Sequence, residues 1–250
     1  MKKIKGSQYH LRRSKSPKFW PILRKEAVWA VKPRPGPHPL RRSIPLGVLL
    51  RDVLGYAKNM REARKILSER SIEVDGRIIT DYKFPVGLMD VIHIIPSDEY
   101  YRIVPDRVRL IKIVKIQPDE VIYKVLRIER KTMVKGGNLQ LTFHDGRNYL
   151  LRLKNPFEPE EDIYSTYDSV KFNLEEKEIV EHYPFKEGYL AVVIDGSNVG
   201  TIGRIKSIRQ IFKKARVQVE LVDNEGNITR TILSYVFVVG KDAPAVTLGG

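Results

Sequence analysis

Apolar residues recur at every third or fourth position between Ser43 and Leu67, which is the spacing of a helix with one buried face. The first run contains Leu46, Leu49, Leu50, Val53, Leu54 and Ala57. Ser43 is predicted to cap this helix, and Pro45 suits its first turn because proline lacks a backbone N–H. Asn59, followed three residues later by Glu62, predicts the start of a second helix.

The second helix is predicted to separate charge from apolar surface. At about 100° per residue, three cations fall within about 100° of one another, namely Arg61, Arg64 and Lys65. Ala63, Ile66 and Leu67 lie on the opposite side. We therefore expect one face of this helix to be buried and the other to present three positive charges.

A β-hairpin is predicted directly after this helix. Residues 72–74 and 77–80 form two β-prone runs, and the two residues between them are Asp75 and Gly76. An Asp-Gly pair in that position favours a two-residue turn. With a further strand expected over residues 91–95, residues 43–105 should form a small unit of two helices and a sheet.

From about residue 106 the helical period gives way to short alternating runs typical of strands. These cover residues 108–116, 121–129, 139–143, 149–153, 169–173 and 178–183, and predict a small barrel or sandwich over residues 106–185. Five more runs cover residues 189–195, 202–208, 217–222, 227–233 and 236–239. They suit an SH3-like barrel over residues 186–240, followed by a tail at 241–250. The expected fold class is therefore α+β with several domains.

Residues 1–42 show neither the helical spacing nor the strand alternation of apolar residues, and they are strongly basic. They contain thirteen lysines and arginines against one acid, Glu26, which gives a net charge of +12. Alternating prolines over residues 32–39 favour an extended course. Because exposed indole rings are unfavourable, Trp20 and Trp29 argue against a purely flexible tail. We expect an arm with a short helix over residues 21–30, ordered mainly when docked on a partner.

The charge of the whole chain points to a polyanionic partner. Forty-five lysines and arginines against thirty acids give +15 and an isoelectric point near 9.8. Basic residues near phosphates release condensed counterions, so an excess of this size favours nucleic acid. Residues 155–187 are the exception, with ten acids and three lysines. This acidic segment should face solvent and point away from phosphate.

Several kinds of chemistry lack candidate residues. There is no cysteine, so disulfides and thiolate metal sites are excluded. The five histidines show no metal-ligand spacing, and no serine–histidine–acid set is marked out. No run approaches the ~18 apolar residues that span a bilayer, and no apolar signal segment follows Met1. We expect a cytoplasmic protein that has no cofactor or metal and no catalytic residues.

Two stretches resemble known RNA-binding motifs. Residues 59–67, 72–77 and 84–92 together resemble the αL motif, which pairs a basic helix face with an adjacent hairpin to grip structured RNA. The chain departs from many members at Ser71, where they have a glycine. Residues 188–205 resemble a KOW motif, whose glycines allow positive φ and bring backbone N–H groups close to a phosphate or partner.

The order of these units resembles one family over nearly the whole chain. Taken together with the stretches at 144–147 and 233–240, this order of units is similar to that of the four-e protein of the archaeal and eukaryotic small ribosomal subunit. The resemblance implies a structural, non-enzymatic protein that binds small-subunit rRNA beside neighbouring ribosomal proteins. It also implies a ribosome-associated, cytoplasmic location, and no membrane or small-molecule substrate. The modest length favours an archaeal member.

The candidate RNA contacts fall in three groups. In the arm they are Lys2, Lys3, Lys5, Arg12, Arg13, Lys15, Lys18, Arg24, Arg34, Arg41 and Arg42. In the αL unit they are Arg61, Arg64, Lys65 and Arg77. In the KOW unit they are Arg204, Lys206, Arg209, Lys213, Lys214 and Arg216, with the loop glycines Gly196, Gly200 and Gly203.

Two other classes of protein compete with this interpretation. Pseudouridine synthases also contain an αL unit, and resemble one another in a Gly-Arg-x-Asp stretch whose aspartate attacks the sugar. Residues 76–79 and 146–149 of this chain have no acid at that position, and Asp145 is interpreted as a turn residue. A KOW-containing transcription or translation factor would bind through its barrel and would not need the basic arm.

Overall fold

The computed structural model describes residues 9–153, 155, 162–210, 217–223 and 225–248. In the arm, β1 (Leu11–Arg12) pairs antiparallel with β2 (Trp29–Ala30). The helix expected over residues 21–30 is wrong, because turns and β2 occupy this segment. The carbonyl of Val28 instead accepts a hydrogen bond from the backbone N–H of Arg13. Backbone groups that a helix would use internally therefore join the two sides of the arm.

The described part of the arm is packed against the next unit. Trp20 is buried, and its Nε1 donates to the carbonyl oxygen of Ser43 at 2.8 Å. Leu11 and Ile22 join the same apolar core. Burial of this indole contributes roughly 2–3 kcal/mol by the usual area relation, which favours docking of the described part of the arm on the second unit.

The second unit contains β3 (Ser43–Pro45), α1 (Leu46–Val48), α2 (Met60–Ser68), β4 (Ile72–Val74), β5 (Arg77–Ile78), β6 (Pro85–Gly87), β7 (Val91–Ile94), β8 (Glu99–Asp106) and β9 (Leu110–Lys115). β3 pairs with β6, and the remaining strands form a sheet in the order β5-β4-β7-β8-β9. A π-helical turn, Leu49–Val53, continues α1.

The two helix starts differ in how well the sequence predicted them. Ser43 does not cap α1, because it lies in β3 and its hydroxyl donates to the carbonyl of Pro39 at 3.0 Å. The first helix therefore begins only after Pro45, which is its N-cap. The start of α2 is confirmed, since the side-chain oxygen of Asn59 accepts from the N–H of Glu62 at 2.9 Å.

The sheet of the second unit crosses residue 105, where we expected the next unit to begin. Asp106 explains this, because its carboxylate accepts hydrogen bonds from the backbone N–H groups of Val108 and Arg109. The resulting turn folds β9 back onto β8, with Asp106 opposite Leu110 at the end of the ladder.

The central unit is a five-stranded antiparallel sheet. Its strands are β10 (Tyr123–Met133), β11 (Leu139–Phe143), β12 (Asn148–Leu151), β13 (Ser169–Asn173) and β14 (Ile179–Tyr183). They lie in the order β12-β11-β10-β13-β14, and β10 changes register between Ile128 and Arg130. Leu126, Leu141 and Phe143 contribute to its core, as expected from strands with alternating apolar positions.

The last unit is also a five-stranded antiparallel sheet. Its strands are β15 (Leu190–Val193), β16 (Ile202–Gln210), β17 (Val217–Val222), β18 (Ile228–Ile232) and β19 (Val236–Gly240), in the order β18-β17-β16-β15-β19. The segment after β19 folds back, with Val246 and Leu248 buried in a core that also contains residues of the second and central units. Thr247 donates twice to the carboxylate of Glu120. No helix among the described residues is long and apolar enough to cross a membrane.

Candidate nucleic-acid interface

The basic helix face is arranged as expected. Arg61, Arg64 and Lys65 are exposed, whereas Ala63 and Leu67 on the other side of α2 are fully buried. The guanidinium of Arg64 lies 4.2 Å from the ring centroid of Tyr82, and Nζ of Lys65 lies 3.9 Å from a carboxylate oxygen of Glu69. Both contacts are at the surface, so they leave the three charges available to solvent and to a polyanion.

The hairpin between β4 and β5 adds a fourth exposed cation, Arg77. Asp75 and Gly76 both have positive φ, as a two-residue hairpin turn of this type requires. Arg77 lines two adjoining clefts of about 430 and 390 Å³, and Arg147 of the central unit lines both as well. One arginine from each unit therefore lines the same groove.

A buried ionic cluster lies behind this groove. Nζ of Lys124 is fully buried and lies 2.7 Å from Asp75, 2.6 Å from Asp90 and 3.3 Å from Asp145. Arg147 contacts Asp75 at 2.8 Å and Asp145 at 3.0 Å. The two Asp-Gly-Arg turns, at 75–77 and 145–147, thus converge on one lysine of β10. We refer to these five side chains, Asp75, Asp90, Lys124, Asp145 and Arg147, as the ionic junction.

The protonation states within the ionic junction follow from burial and from the neighbouring charges. Burial alone would lower the pKa of Lys124, but the three carboxylates outweigh it and raise the pKa above its usual value. Burial would raise the pKa of Asp90, but His38, at 2.9 Å, and Lys124 lower it well below its usual range. Lys124 and Asp90 are therefore both charged at neutral pH.

His144, next to the ionic junction, is a neutral histidine. Burial lowers its pKa to about 3. Its Nδ1 lies 3.2 Å from the backbone N–H of Arg127 and accepts from it, so Nε2 carries the proton and donates to the carbonyl of Leu88. The ring also packs edge-on against Phe237 of β19. His144 therefore contacts residues of three units at once.

Sequence reasoning missed the ionic junction. Asp75 and Asp145 were interpreted as turn residues, and they do lie in turns. Lys124 was not predicted to have a role, because it lies within an apolar strand. The sequence did contain a signal for it, because Lys124 lies between apolar residues in the predicted strand over residues 121–129. Lysine is almost never fully buried unless it is paired, so this position required acidic partners.

Some arm cations are exposed, others are engaged within the chain, and Arg34 is both. Arg12, Lys15, Lys18, Arg24 and Arg41 are exposed. Three others have partners within the chain: Arg13 donates to the carbonyl of Ile22, Arg34 lies 2.9 Å from Asp81, and Arg42 donates through two nitrogens to Asp195. Lys2, Lys3 and Lys5 lie outside the described residues. The arm therefore presents fewer available charges than its composition indicates.

The last unit shows the same division. Lys206, Arg209 and Arg204 are all exposed, but Arg204 also donates to the carbonyls of Gly188, Lys241 and Asp242. Arg204 thereby fastens the segment after β19. Lys213, Lys214 and Arg216 lie outside the described residues.

The predicted loop glycines make close contacts with the chain itself. A Cβ on Gly200, which has φ +80°, would lie 2.7 Å from the backbone nitrogen of Arg107. A Cβ on Gly203 would lie 2.7 Å from the carbonyl oxygen of Val222, and one on Gly196 would lie 3.2 Å from the ring of Tyr235. The close backbone approach is thus intramolecular. Contact of these glycines with RNA stays a prediction.

The acidic segment is only partly a charged surface. Glu175, Glu176, Glu178, Glu181 and Glu187 are exposed. Asp168 is instead buried, and its carboxylate accepts from the N–H groups of Ser165 and Phe185 and lies 2.8 Å from His182. Glu158, Glu160 and Glu161 lie outside the described residues. Within the described ranges, no group of three or more histidines and acids is arranged to hold a metal ion.

An exposed basic helix face beside a hairpin, followed by antiparallel sheets, places this chain in the class of proteins built on an S4 domain. Three family models match the chain. The S4 domain matches residues 46–92, the RS4NT (NUC023) domain matches residues 5–41, and the Ribosomal family S4e matches residues 97–179. The match of the S4 domain covers both helices and the hairpin that carries Arg77.

Full-length relatives identify the family. The chain is 47% identical over 243 residues to small ribosomal subunit protein eS4 of Staphylothermus marinus, covering 97% of this chain and 96% of that protein. It is 48% identical over 249 residues to the protein of the same name from Ignicoccus hospitalis, covering 99% and 98%. The chain belongs to the eS4 family of small ribosomal subunit proteins.

A solved structure agrees with this assignment. The crystal structure of the 30S ribosomal protein S4e from Thermoplasma acidophilum superposes with a TM-score of 0.67 at 28% identity, covering 80% of this chain and 96% of that one. The resemblance to the four-e family stated from the sequence is thereby confirmed.

Proposed function

We propose that this chain is a structural, non-enzymatic component of the archaeal small ribosomal subunit that binds folded rRNA in the cytoplasm. The observation that carries the proposal is the face of α2, where Arg61, Arg64 and Lys65 stand on a helix whose opposite side is buried. A helix of this kind holds three charges in a fixed geometry, which suits the regularly spaced phosphates of folded RNA.

The binding surface extends from α2 to the arm. Arg12, Lys15, Lys18, Arg24 and Arg41 are exposed and belong to the same structural block as α2, since Trp20 fixes the arm to its core. Arg77 and Arg147 lie in the groove between the second and central units. Phosphate contacts of this kind position a protein on RNA without reading bases. The engaged residues Arg13, Arg42 and Arg204 serve the fold and are secondary candidates.

The remaining units supply further surfaces. We propose that residues 186–240 form a KOW-type, SH3-like barrel that adds contacts through Lys206 and Arg209, and that residues 106–185 act as the connecting β unit. The five exposed glutamates of the acidic segment favour a position away from phosphate, towards solvent or a neighbouring ribosomal protein. The division into arm, αL unit, central unit, barrel and tail is supported by the sheet topology, with β9 joined to the αL sheet.

The test combines assembly with binding. Tagged wild-type protein should cofractionate with archaeal small subunits and stay bound through a moderate salt wash. Replacing Arg61, Arg64 and Lys65 with alanine should reduce retention and lower the slope of log affinity against log salt by about 2–3, because each phosphate contact contributes about 0.9 or less.

A matched control separates position from charge. Lys112, Arg130 and Lys135 are exposed cations outside the proposed surface, and replacing these three with alanine removes the same charge. Equal losses in the two triple variants would contradict a specific role for α2. A wild-type protein that neither enters small subunits nor binds rRNA would overturn the proposed function.

A further inference from the structure

Trp29 is an exposed aromatic residue at a strand position where burial was expected. Of the two tryptophans in the chain, Trp20 is buried and Trp29 keeps 55% of its surface exposed. The register of the arm explains the difference. Leu11 pairs with Ala30, and Arg12 pairs with Trp29. Because successive side chains of a strand alternate between faces, Leu11 points to the core while Arg12 and Trp29 point outward.

The surroundings of Trp29 are cationic and aromatic. The guanidinium carbon of Arg12 lies 5.9 Å from the centroid of the indole, and the ring of His10 lies 5.5 Å from it at an angle of 52°. These contacts hold the indole at the surface without covering it. The same arm has a cleft of about 320 Å³, lined by Arg13, Ser14, Ser16, Lys18 and Arg24. Arg13 and Ser16 are hydrogen-bonded to each other, so the exposed Lys18 and Arg24 are the cations of this cleft that suit phosphate oxygens.

We propose that Trp29 is a stacking platform for an unpaired RNA base, with Arg12 and the arm cleft holding the adjoining backbone. The inference rests on the proposed rRNA-binding function and adds to it a site for single-stranded or bulged nucleotides. Every base has a flat π-face that stacks on an indole, and bases without a pairing partner are the ones free to do so. The α2 face, by contrast, offers charges and no exposed aromatic ring.

Charge favours RNA over a protein as the occupant. The segment from Tyr9 to Arg42 contains ten lysines and arginines and one acid, and the cores of interfaces between proteins are depleted in charged residues. Leu23 and Val28 are also exposed, at 71% and 70%, but aliphatic side chains offer no ring for a base to stack on. They therefore provide matched controls.

The experiment uses the full chain and a 12-nucleotide oligoadenylate, compared with an RNA duplex of the same length. Oligoadenylate should quench tryptophan fluorescence, and the quenching should disappear in Trp29→Phe, because the remaining fluorophore, Trp20, is buried. Trp29→Ala should weaken binding of the single strand by roughly 5- to 140-fold, the range expected for one stacked base. Trp29→Phe should retain most of the affinity, and Leu23→Ala should bind as the wild type does.

Three results separate the possible failures. Equal affinity of wild type and Trp29→Ala for oligoadenylate overturns the stacking platform and leaves the proposed function standing. An equal loss for Trp29→Ala and Leu23→Ala, or a loss only in incorporation into small subunits, also overturns it and points to an apolar protein contact. If the wild type binds neither rRNA nor oligoadenylate, the proposed function fails and this inference fails with it. The salt slope should be unchanged in Trp29→Ala, since no charge is removed.

Discussion

Nζ of Lys124 lies 2.6 Å from Oδ1 of Asp90, and both side chains are almost completely buried. Lys124 belongs to β10 of the central unit, whereas Asp90 immediately precedes β7 of the S4 domain. The ion pair therefore joins two units that have separate sheets. His38 of the arm lies 2.9 Å from the Asp90 carboxylate, so the arm contacts this ion pair as well. Lys124 and Asp90 thus form a buried contact point at which the arm, the S4 domain and the central unit meet.

Replacing Lys124 with methionine should strongly destabilise the protein. The change keeps most of the side-chain volume but leaves Asp75, Asp90 and Asp145 without their shared cation. Removing one partner of a buried ionic group typically costs about 3–5 kcal/mol. Chemical denaturation should show this loss in the free energy of unfolding. Lys115→Met is the control, because Lys115 forms an exposed ion pair with Glu99, which solvent screens, and its loss should change stability little. Similar small losses in both variants would contradict a structural role for the ionic junction.

His144 should make stability fall as pH is lowered through the weakly acidic range. In the unfolded chain a histidine binds its proton near pH 6.5, whereas in the folded protein the pKa is about 3. Between these values the unfolded state binds more protons, so the contribution of His144 is complete above pH 6.5 and is lost as pH falls toward 3.

The test is the melting temperature from pH 7 to pH 4. His144→Gln keeps a neutral hydrogen-bonding side chain and should flatten the decline, whatever its stability at pH 7. His10→Gln changes an exposed histidine of the arm and serves as the control. An unchanged slope in His144→Gln would show that other groups, such as the buried carboxylates, account for the acid sensitivity.

Local signals explain what the sequence predicted well. The cap at Asn59, the Asp75–Gly76 turn and the strands at 139–143, 169–173 and 217–222 all depend on residues a few positions apart, and the structure has them where they were predicted. The spacing of Arg61, Arg64 and Lys65 needed only the helical period. The family could be predicted as well, because the order of the units along the chain is visible in the sequence.

Tertiary contacts explain what was missed. Ser43 has the side chain of a helix cap, but pairing of β3 with β6 places it in a sheet. Residues 21–30 contain residues that a helix tolerates, yet docking of Trp20 and pairing of β1 with β2 determine their course. Arg13, Arg42 and Arg204 look like surface cations in the sequence. Apart from Ser16, which accepts from Arg13, their partners lie 9 or more residues away along the chain, so only the fold shows that these cations are engaged.

The exposed arm cations should set the salt dependence of RNA binding. Deleting the arm would also remove Trp20 from the core, so charge must be changed without removing the chain. Replacing Arg12, Lys15, Lys18 and Arg24 with glutamine should lower the slope of log affinity against log salt by up to about 3–4. The control replaces four exposed cations elsewhere, Lys112, Arg130, Lys135 and Lys241. Binding titrations from low to moderate salt measure both slopes. An arm variant with the wild-type slope would exclude the arm as the electrostatic anchor.

Gly200 should contribute to stability through its own close contacts with the β8–β9 turn, separately from any contact with RNA. Its φ of +80° disfavours any L side chain, and an added Cβ would lie 2.7 Å from the backbone nitrogen of Arg107 and 3.1 Å from the carbonyl carbon of Asp106. Gly200→Ala should therefore lower the free energy of unfolding by about 2–4 kcal/mol, combining backbone strain with overpacking against a rigid turn. Gly200→Val should cost more.

Gly226→Ala isolates the two contributions, because Gly226 has a similar φ of +84° but open space around the position of a Cβ. It should cost only the backbone strain, about 1–2 kcal/mol. The difference between the two alanine variants then measures the contact with the β8–β9 turn. If Gly200→Ala melts like the wild type but loses affinity for rRNA, the close approach at this glycine serves the RNA and our structural assignment is wrong.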